Sequence, residues 1–179
     1  MTDLLDHAPA SRAGTADHLI TLVELLFFAY RDFTAESDQI LAEYRLGRAH
    51  HRVLHFVRRH PGLRVTDLLA ILKITKQSLG RVLNELIAGG WIDNRTDPED
   101  RRARRLTLTP KGDALALRLA HHQVRQVAAA LSETVSAPGV RGDSRGDQAR
   151  RFLFAMIADE ERGRVRDLLA GSDTTARGR

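Results

Sequence analysis

Cysteine is missing from all 179 residues. Its absence excludes disulfides, thiolate metal sites and thiol redox sensing. Long apolar runs are missing too. The most apolar stretch, LITLVELLFFAY from Leu19 to Tyr30, is too short to span a bilayer and contains Glu24. The first residues, MTDLLDHAPASRAGTA, carry acids where a secretory signal carries positive charge. A cytoplasmic protein with no membrane partner is therefore expected. No internal repeat is visible, and neither a nucleophile elbow nor a Gly-rich phosphate cradle is present. Catalysis has no foothold, so the expectation is a protein that is not an enzyme and carries no cofactor.

What is present is a soluble composition with a basic bias. Hydrophobic residues make up 42% and charged residues 28%, and the net charge is +5. The length suits one domain, or one domain with elaborations, and is enough to bury a core. The positive balance favours a polyanionic partner such as nucleic acid.

Along the chain, residues 1–16 read as a flexible tail and residues 17–60 as N-terminal helices. Asp17 to Phe33 has a helical pattern that is apolar almost all round, as in helices buried on several sides. Arg45 to Arg59 fits a second helix, with Leu46, His50, Val53, Leu54 and Val57 at helical spacing. Residues 61–109 form the next unit. Thr66 can cap VTDLLAILK, and after Lys73-Ile74, Thr75 can cap TKQSLGRVLNELIA, whose Leu79, Val82, Leu83, Leu86 and Ile87 make one apolar stripe. Gly89-Gly90 ends that helix. A short helix, a tight turn and a second helix with a polar outer face form a helix-turn-helix pattern. Trp91 to Arg95 and Arg104 to Leu108 read as strands joined by Asp97-Pro98-Glu99-Asp100 turn chemistry. Thr109 as cap and Pro110 at the first helical position open a long helix. Residues 110–170 are then helical except for a Gly/Pro/Ser-rich loop at 136–147, the last helix running from about Gln148 to Ala170. Residues 171–179 are expected to be disordered. The fold class is mainly α with a small β wing: a winged helix-turn-helix lobe and a flanking helical region.

The densest signal is DPEDRRARRLTLTPKG, Asp97 to Gly112, where three acids in four residues run into four arginines in five. With the preceding ITKQSLGRVLNELIAGGWI and YRLGRAHHRVLHFV, it resembles the MarR family of bacterial transcription regulators. The wing-tip Asp-x-Arg is Asp100-Arg101-Arg102, and the hydrophobic-x-Leu-Thr-x-x-Gly run falls on residues 106–112. The resemblance covers roughly Tyr44 to Leu115. It implies a homodimer of interlocked helices that binds double-stranded DNA at a pseudo-palindromic operator. It also implies a small anionic or aromatic effector between the dimer helices and the DNA-binding lobe.

Residue chemistry agrees with that expectation. Gln77, Arg81 and Asn84 lie at i, i+4 and i+7, opposite the apolar stripe, so they project one way. Arginine can grip guanine, and glutamine or asparagine adenine, through paired hydrogen bonds in the major groove. Thr75, Lys76 and Ser78 sit at the positive helix start, where phosphate binds. Gly80 either admits the DNA backbone or is merely tolerated. In the wing, the Asp-x-Arg match implies Arg102 in the minor groove with Asp100 orienting it, and Arg101, Arg104 and Arg105 are then available to phosphates. An isolated polar helix face or charged hairpin would ordinarily be solvated surface, but exposed ion pairs stabilise little, so fold stability does not explain the charge cluster.

His51 and His55 are four apart on one helix, but no third ligand completes a zinc motif, and no metal is expected. His50 falls in the apolar stripe and reads as a satisfied core histidine. The resemblance sets His51 near the family's effector pocket, so Arg48, His51 and His55 either bind an anionic effector or respond to pH, or are ordinary surface and packing residues. The two Arg-Gly-Asp tripeptides at 141–143 and 145–147 read as loop. The competing reading is a winged-helix protein–protein module whose basic wing meets an acidic partner.

Overall fold

The computed structural model describes residues 10–97, 104–133 and 143–176, with side chains over 17–97, 104–133 and 146–171. Among the described residues, seven helices and three strands follow one another: α1 Ala10–Ala42, α2 Arg48–Arg59, β1 Leu63–Arg64, α3 Val65–Leu72, α4 Lys76–Ala88, β2 Ile92–Thr96, β3 Arg104–Leu108, α5 Pro110–Glu133, α6 Asp143–Ala155 and α7 Asp159–Ala176. The small sheet is antiparallel in the order β1-β3-β2. No helix among the described residues is long and apolar enough to cross a membrane.

The core lies where α2, α3, α4 and the first half of α5 meet the sheet. Leu54 and Val57, Leu68, Leu86, Leu106 and Leu119 are fully buried there. The expected stripe of α4 faces this core, with Leu79, Val82, Leu83 and Leu86 buried and Ile87 packed against them. Only the end of α1 joins, through Ser37, Ile40 and Leu41. Upstream, Leu19, Ile20, Val23, Phe27, Phe28 and Tyr30 are 49–70% exposed. Among the described residues, most of the stretch whose all-round apolar pattern predicted burial is left uncovered.

Several boundaries differ from the sequence reading. Helix α1 starts at Ala10, inside the expected tail, because a helix once nucleated extends at little cost through Ala-rich sequence. It therefore has 33 residues and is about 50 Å long. Helix α2 starts at Arg48, three residues later than expected. Strand β1 is additional. Gly62, at φ +85°, turns the chain so that its N–H reaches the Leu106 carbonyl at 2.8 Å, and Leu63 then pairs with Leu106. That pairing fixes Arg64 in an extended conformation, so Arg64 rather than Thr66 caps α3, and its N–H donates to Asp67 Oδ2 at 3.3 Å. Strand β2 is displaced by one residue from the expected Trp91–Arg95.

The expected final helix is two. Arg162 donates to the carbonyls of Ala155 (2.6 Å) and Ile157 (3.0 Å), satisfying the end of α6. Asp159, Glu160 and Glu161 then supply negative charge at the positive start of α7. Helix α6 begins at Asp143, inside the expected loop, since an acid suits a helix start. Helix α7 continues past Gly171 to Ala176, because one glycine weakens a helix without ending it. The start of α7 also touches the helix-turn-helix: Lys73 Nζ lies 2.6 Å from Glu161 Oε1, and Arg164 donates to the Ala70 carbonyl at 3.3 Å.

Candidate nucleic-acid interface

The turn between α3 and α4 is set by Lys73 in the left-handed conformation (φ 53°), a single strained residue that lets two helices meet closely. Thr75 then caps α4 as expected: its Oγ1 accepts from the Ser78 N–H at 3.2 Å and donates to Ser78 Oγ at 2.9 Å. The two hydroxyls thus form one cap, and Ser78 keeps its own O–H to donate. Thr75, Lys76, Gln77, Ser78, Arg81 and Asn84 are all exposed. Gln77, Arg81 and Asn84 form the face opposite the buried stripe, and the Arg81 side chain is 85% exposed.

The wing tip, with Asp100, Arg101 and Arg102, lies outside the described residues. At its base, Arg104 Nη1 donates to Thr96 Oγ1 at 3.2 Å, bracing the two strands. The register sets Arg105 opposite Arg64 on one side and opposite Arg95 on the other. Like charges directly opposed across strands destabilise a sheet. The offset comes from Asp97, whose fully buried carboxylate lies 2.9 Å from both the Arg64 and the Arg105 guanidinium. Asp97 is thus more than the turn residue its sequence context indicates. Its roles as buried counter-ion and the row Arg64, Arg105, Arg95 depend on β1, and no local signal predicts them.

The segment Thr109–Gly112 fastens the wing to the rest. The Thr109 N–H bonds the Trp91 carbonyl at 3.1 Å and Thr109 Oγ1 donates to the Gly90 carbonyl at 2.7 Å. Thr109 Oγ1 also accepts the Gly112 N–H at 3.1 Å, as a helix cap should. Lys111 places its ammonium 3.7 Å from the Trp91 ring centroid and donates to the Gly89 carbonyl at 2.8 Å.

On the opposite side of α2, a cavity of about 470 Å³ opens between α1, α2 and α5. It brings together the three suspected effector residues, Arg48, His51 and His55, with Tyr30, Phe33, Asp38 and Phe56. Asp38 holds Arg48 at 2.7–2.8 Å. Burial pushes the His51 imidazole below its ordinary value, partly countered by the Asp38 charge. His55 is lowered to about 4, by burial first and then by the positive charges of His51, Arg59, His60 and Arg58. An imidazole lowered on folding favours the folded state above its ordinary value of 6.5, and that contribution fades as pH falls towards about 4. Because His55 is partly exposed, solvent screening should hold the loss to about 1 kcal/mol. Denaturant titrations at pH 7 and pH 5 should show this loss, and an equal loss in His55→Gln would contradict it.

His50 is the satisfied core histidine its position predicts. Its Nδ1 accepts the Gly47 N–H at 3.1 Å, and its Nε2 lies 2.7 Å from Glu85 Oε2. No group of three or more His, Cys, Asp or Glu residues among the described residues could hold a metal ion.

A short helix, a left-handed turn, a capped helix with an exposed polar face and a three-stranded wing sheet define a winged helix-turn-helix protein. The MarR family model matches residues 46–103. The chain is 41% identical over 152 residues to the HTH-type transcriptional regulator PetP of Rhodobacter capsulatus, covering 82% of this chain and 91% of that one. A crystal structure of a MarR family transcription regulator is similar at a TM-score of 0.62 and 25% identity, over 81% of this chain and 95% of its own. A mutant MarR from E. coli, complexed with operator DNA, shares the fold at a TM-score of 0.58 and 18% identity, over 79% and 97% of the two chains. The chain belongs to the MarR family and is a helix-turn-helix transcription regulator of that family.

Proposed function

We infer that the protein binds operator DNA sequence-specifically as a homodimer, with α4 in the major groove and the wing beside it. The observation that carries this reading is the exposed Gln77, Arg81 and Asn84 face on a helix whose other face is locked into the core. Thr75, Lys76 and Ser78 meet phosphates, as do Arg101 and Arg104. Arg102 enters the minor groove, oriented by Asp100. The MarR of the similar complex binds operator DNA, which supports the reading. The exposed apolar flank of α1, with Phe152, Leu153 and Met156 on α6 and its following turn, supports a second copy as partner. Half-sites about one helical turn apart then follow from two-fold symmetry. The cavity beside Arg48, His51 and His55 takes a small anionic or aromatic effector.

The test is fluorescence anisotropy on DNA from upstream of the gene. Weak binding without sequence preference would favour the protein–protein module instead. Affinity should fall with salt at a log–log slope of about −0.9 per phosphate contacted. Arg81→Ala should weaken specific binding by about 1–3 kcal/mol without changing stability. A folded Arg81→Ala protein with unchanged affinity and base preference would sink the assignment of α4 as the reading helix. A small aromatic carboxylate should bind the cavity more tightly as pH falls from 6.5 towards 4, since an anion there favours protonated His51 and His55. Calorimetry showing pH-independent binding would exclude these histidines from the site.

A further inference from the structure

We propose that Glu85 is a positioning residue for sequence reading: it holds Arg81 in an end-on presentation to the bases and is itself anchored by His50. The proposal rests on the reading of α4 as the helix that enters the groove. Glu85 lies on α4 between the buried stripe and the exposed face, and its carboxylate has two partners. Oε2 lies 2.7 Å from His50 Nε2, and Oε1 lies 3.3 Å from Arg81 Nε.

The anchor is firm because its geometry is determined on both sides. Backbone N–H of Gly47 donates to His50 Nδ1, so that nitrogen carries no hydrogen and Nε2 is the donor to Glu85. The His50 side chain is only 11% exposed and sits in the first turn of α2, which packs on α4. One carboxylate oxygen is therefore fixed from beneath, and the other is directed along the helix at Arg81.

An exposed i,i+4 pair without such an anchor contributes only a few tenths of a kcal/mol, and the order arginine-before-glutamate is the weaker one. Helix stability therefore gains little from the Arg81–Glu85 pair itself. The gain lies in the conformation of Arg81. Its side chain is 85% exposed and would otherwise sample many rotamers, all but one of which must be given up on binding. With Nε engaged by Glu85, the two Nη groups remain as the fork that matches guanine O6 and N7. The negative charge beside Arg81 also repels the DNA backbone, disfavouring a phosphate contact in any sequence. Glu85 thus favours the base contact over the non-specific one. The following residue, His51, lines the cavity, so one turn of α2 both anchors Glu85 and walls the ligand space.

The experiment uses the full-length protein and the duplex that the wild type selects from a randomised pool. Base preference is measured at the position relaxed by Arg81→Ala. Glu85→Gln keeps an oxygen for His50 but turns an NH2 group towards Arg81, so it removes the hold and the charge together. The expected result is a roughly tenfold loss of preference at that position with a gain in affinity for unrelated DNA. In an Arg81→Ala background, Glu85→Gln should change preference no further. If Glu85→Gln, folded as judged by its denaturation midpoint, keeps wild-type preference there, the positioning role is overturned while the reading of α4 stands. If the wild type selects no sequence, or Arg81→Ala relaxes no position, both are overturned.

Discussion

Replacing Gly112 by alanine should cost about 3 kcal/mol or more, the largest loss expected from removing no side chain. A Cβ at this position would lie 2.0 Å from the Trp91 carbonyl oxygen and 3.0 Å from its carbon. The carbonyl cannot retreat freely, because it accepts the Thr109 N–H that joins α5 to the end of α4. Either the first turn of α5 tilts away or that bond breaks, and both loosen the wing. The same substitution at Gly80 serves as the control. Nothing lies within 4 Å of a Cβ there, so alanine should stabilise α4 by about 1 kcal/mol. Chemical denaturation of the two variants should give shifts of opposite sign. A Gly112→Ala protein as stable as wild type would refute the close approach. The open space at Gly80 also means that no packing within the chain requires glycine there.

Asp97→Ala should destabilise by about 2–3 kcal/mol, less than the loss of a fully buried pair because both arginine partners are partly exposed. Removing the carboxylate leaves Arg64 and Arg105 opposed across β1 and β3, with Arg95 opposite Arg105 on the other side. The damage should therefore be electrostatic, and added salt should recover part of it by screening the arginines from one another. Thermal melts at low and high salt check this. A loss that salt does not change would mean that Asp97 acts through packing alone. The variant should also bind DNA less well than its stability suggests, because the strands that carry the wing lose their common counter-ion.

Asp97 illustrates where sequence reasoning stops. Asp-Pro is good turn chemistry, and that local signal hid a carboxylate that is buried because of Arg64, thirty-three residues earlier. Strand β1 was equally hidden, since two residues carry no periodicity and their pairing is wholly non-local. By contrast, α4, β3 and the Thr75 and Thr109 caps were legible because stripe, alternation and cap each lie within a few residues. The break between α6 and α7 had a signal in Asp159-Glu160-Glu161, an acidic start of the kind that opens a helix, but the apolar FLFAMI beside it dominated the pattern. Of the candidate site, the exposed face of α4 followed from helical spacing, and the grouping of Arg48, His51 and His55 from the family resemblance at His51. Glu85 did not, because its partner His50 lies on another helix.

The clasp around Trp91 has an optical consequence. It is the only tryptophan in the chain, so ultraviolet emission excited beyond tyrosine absorption comes from this one point. The indole is buried, meets the Tyr44 ring edge-on at 5.2 Å and lies under the Lys111 ammonium. Its neighbours come from the turn after α1, the end of α4 and the start of α5, so a relative movement of these segments changes its surroundings. Emission wavelength and quenching therefore follow that motion directly, and the unlabelled protein carries its own gauge.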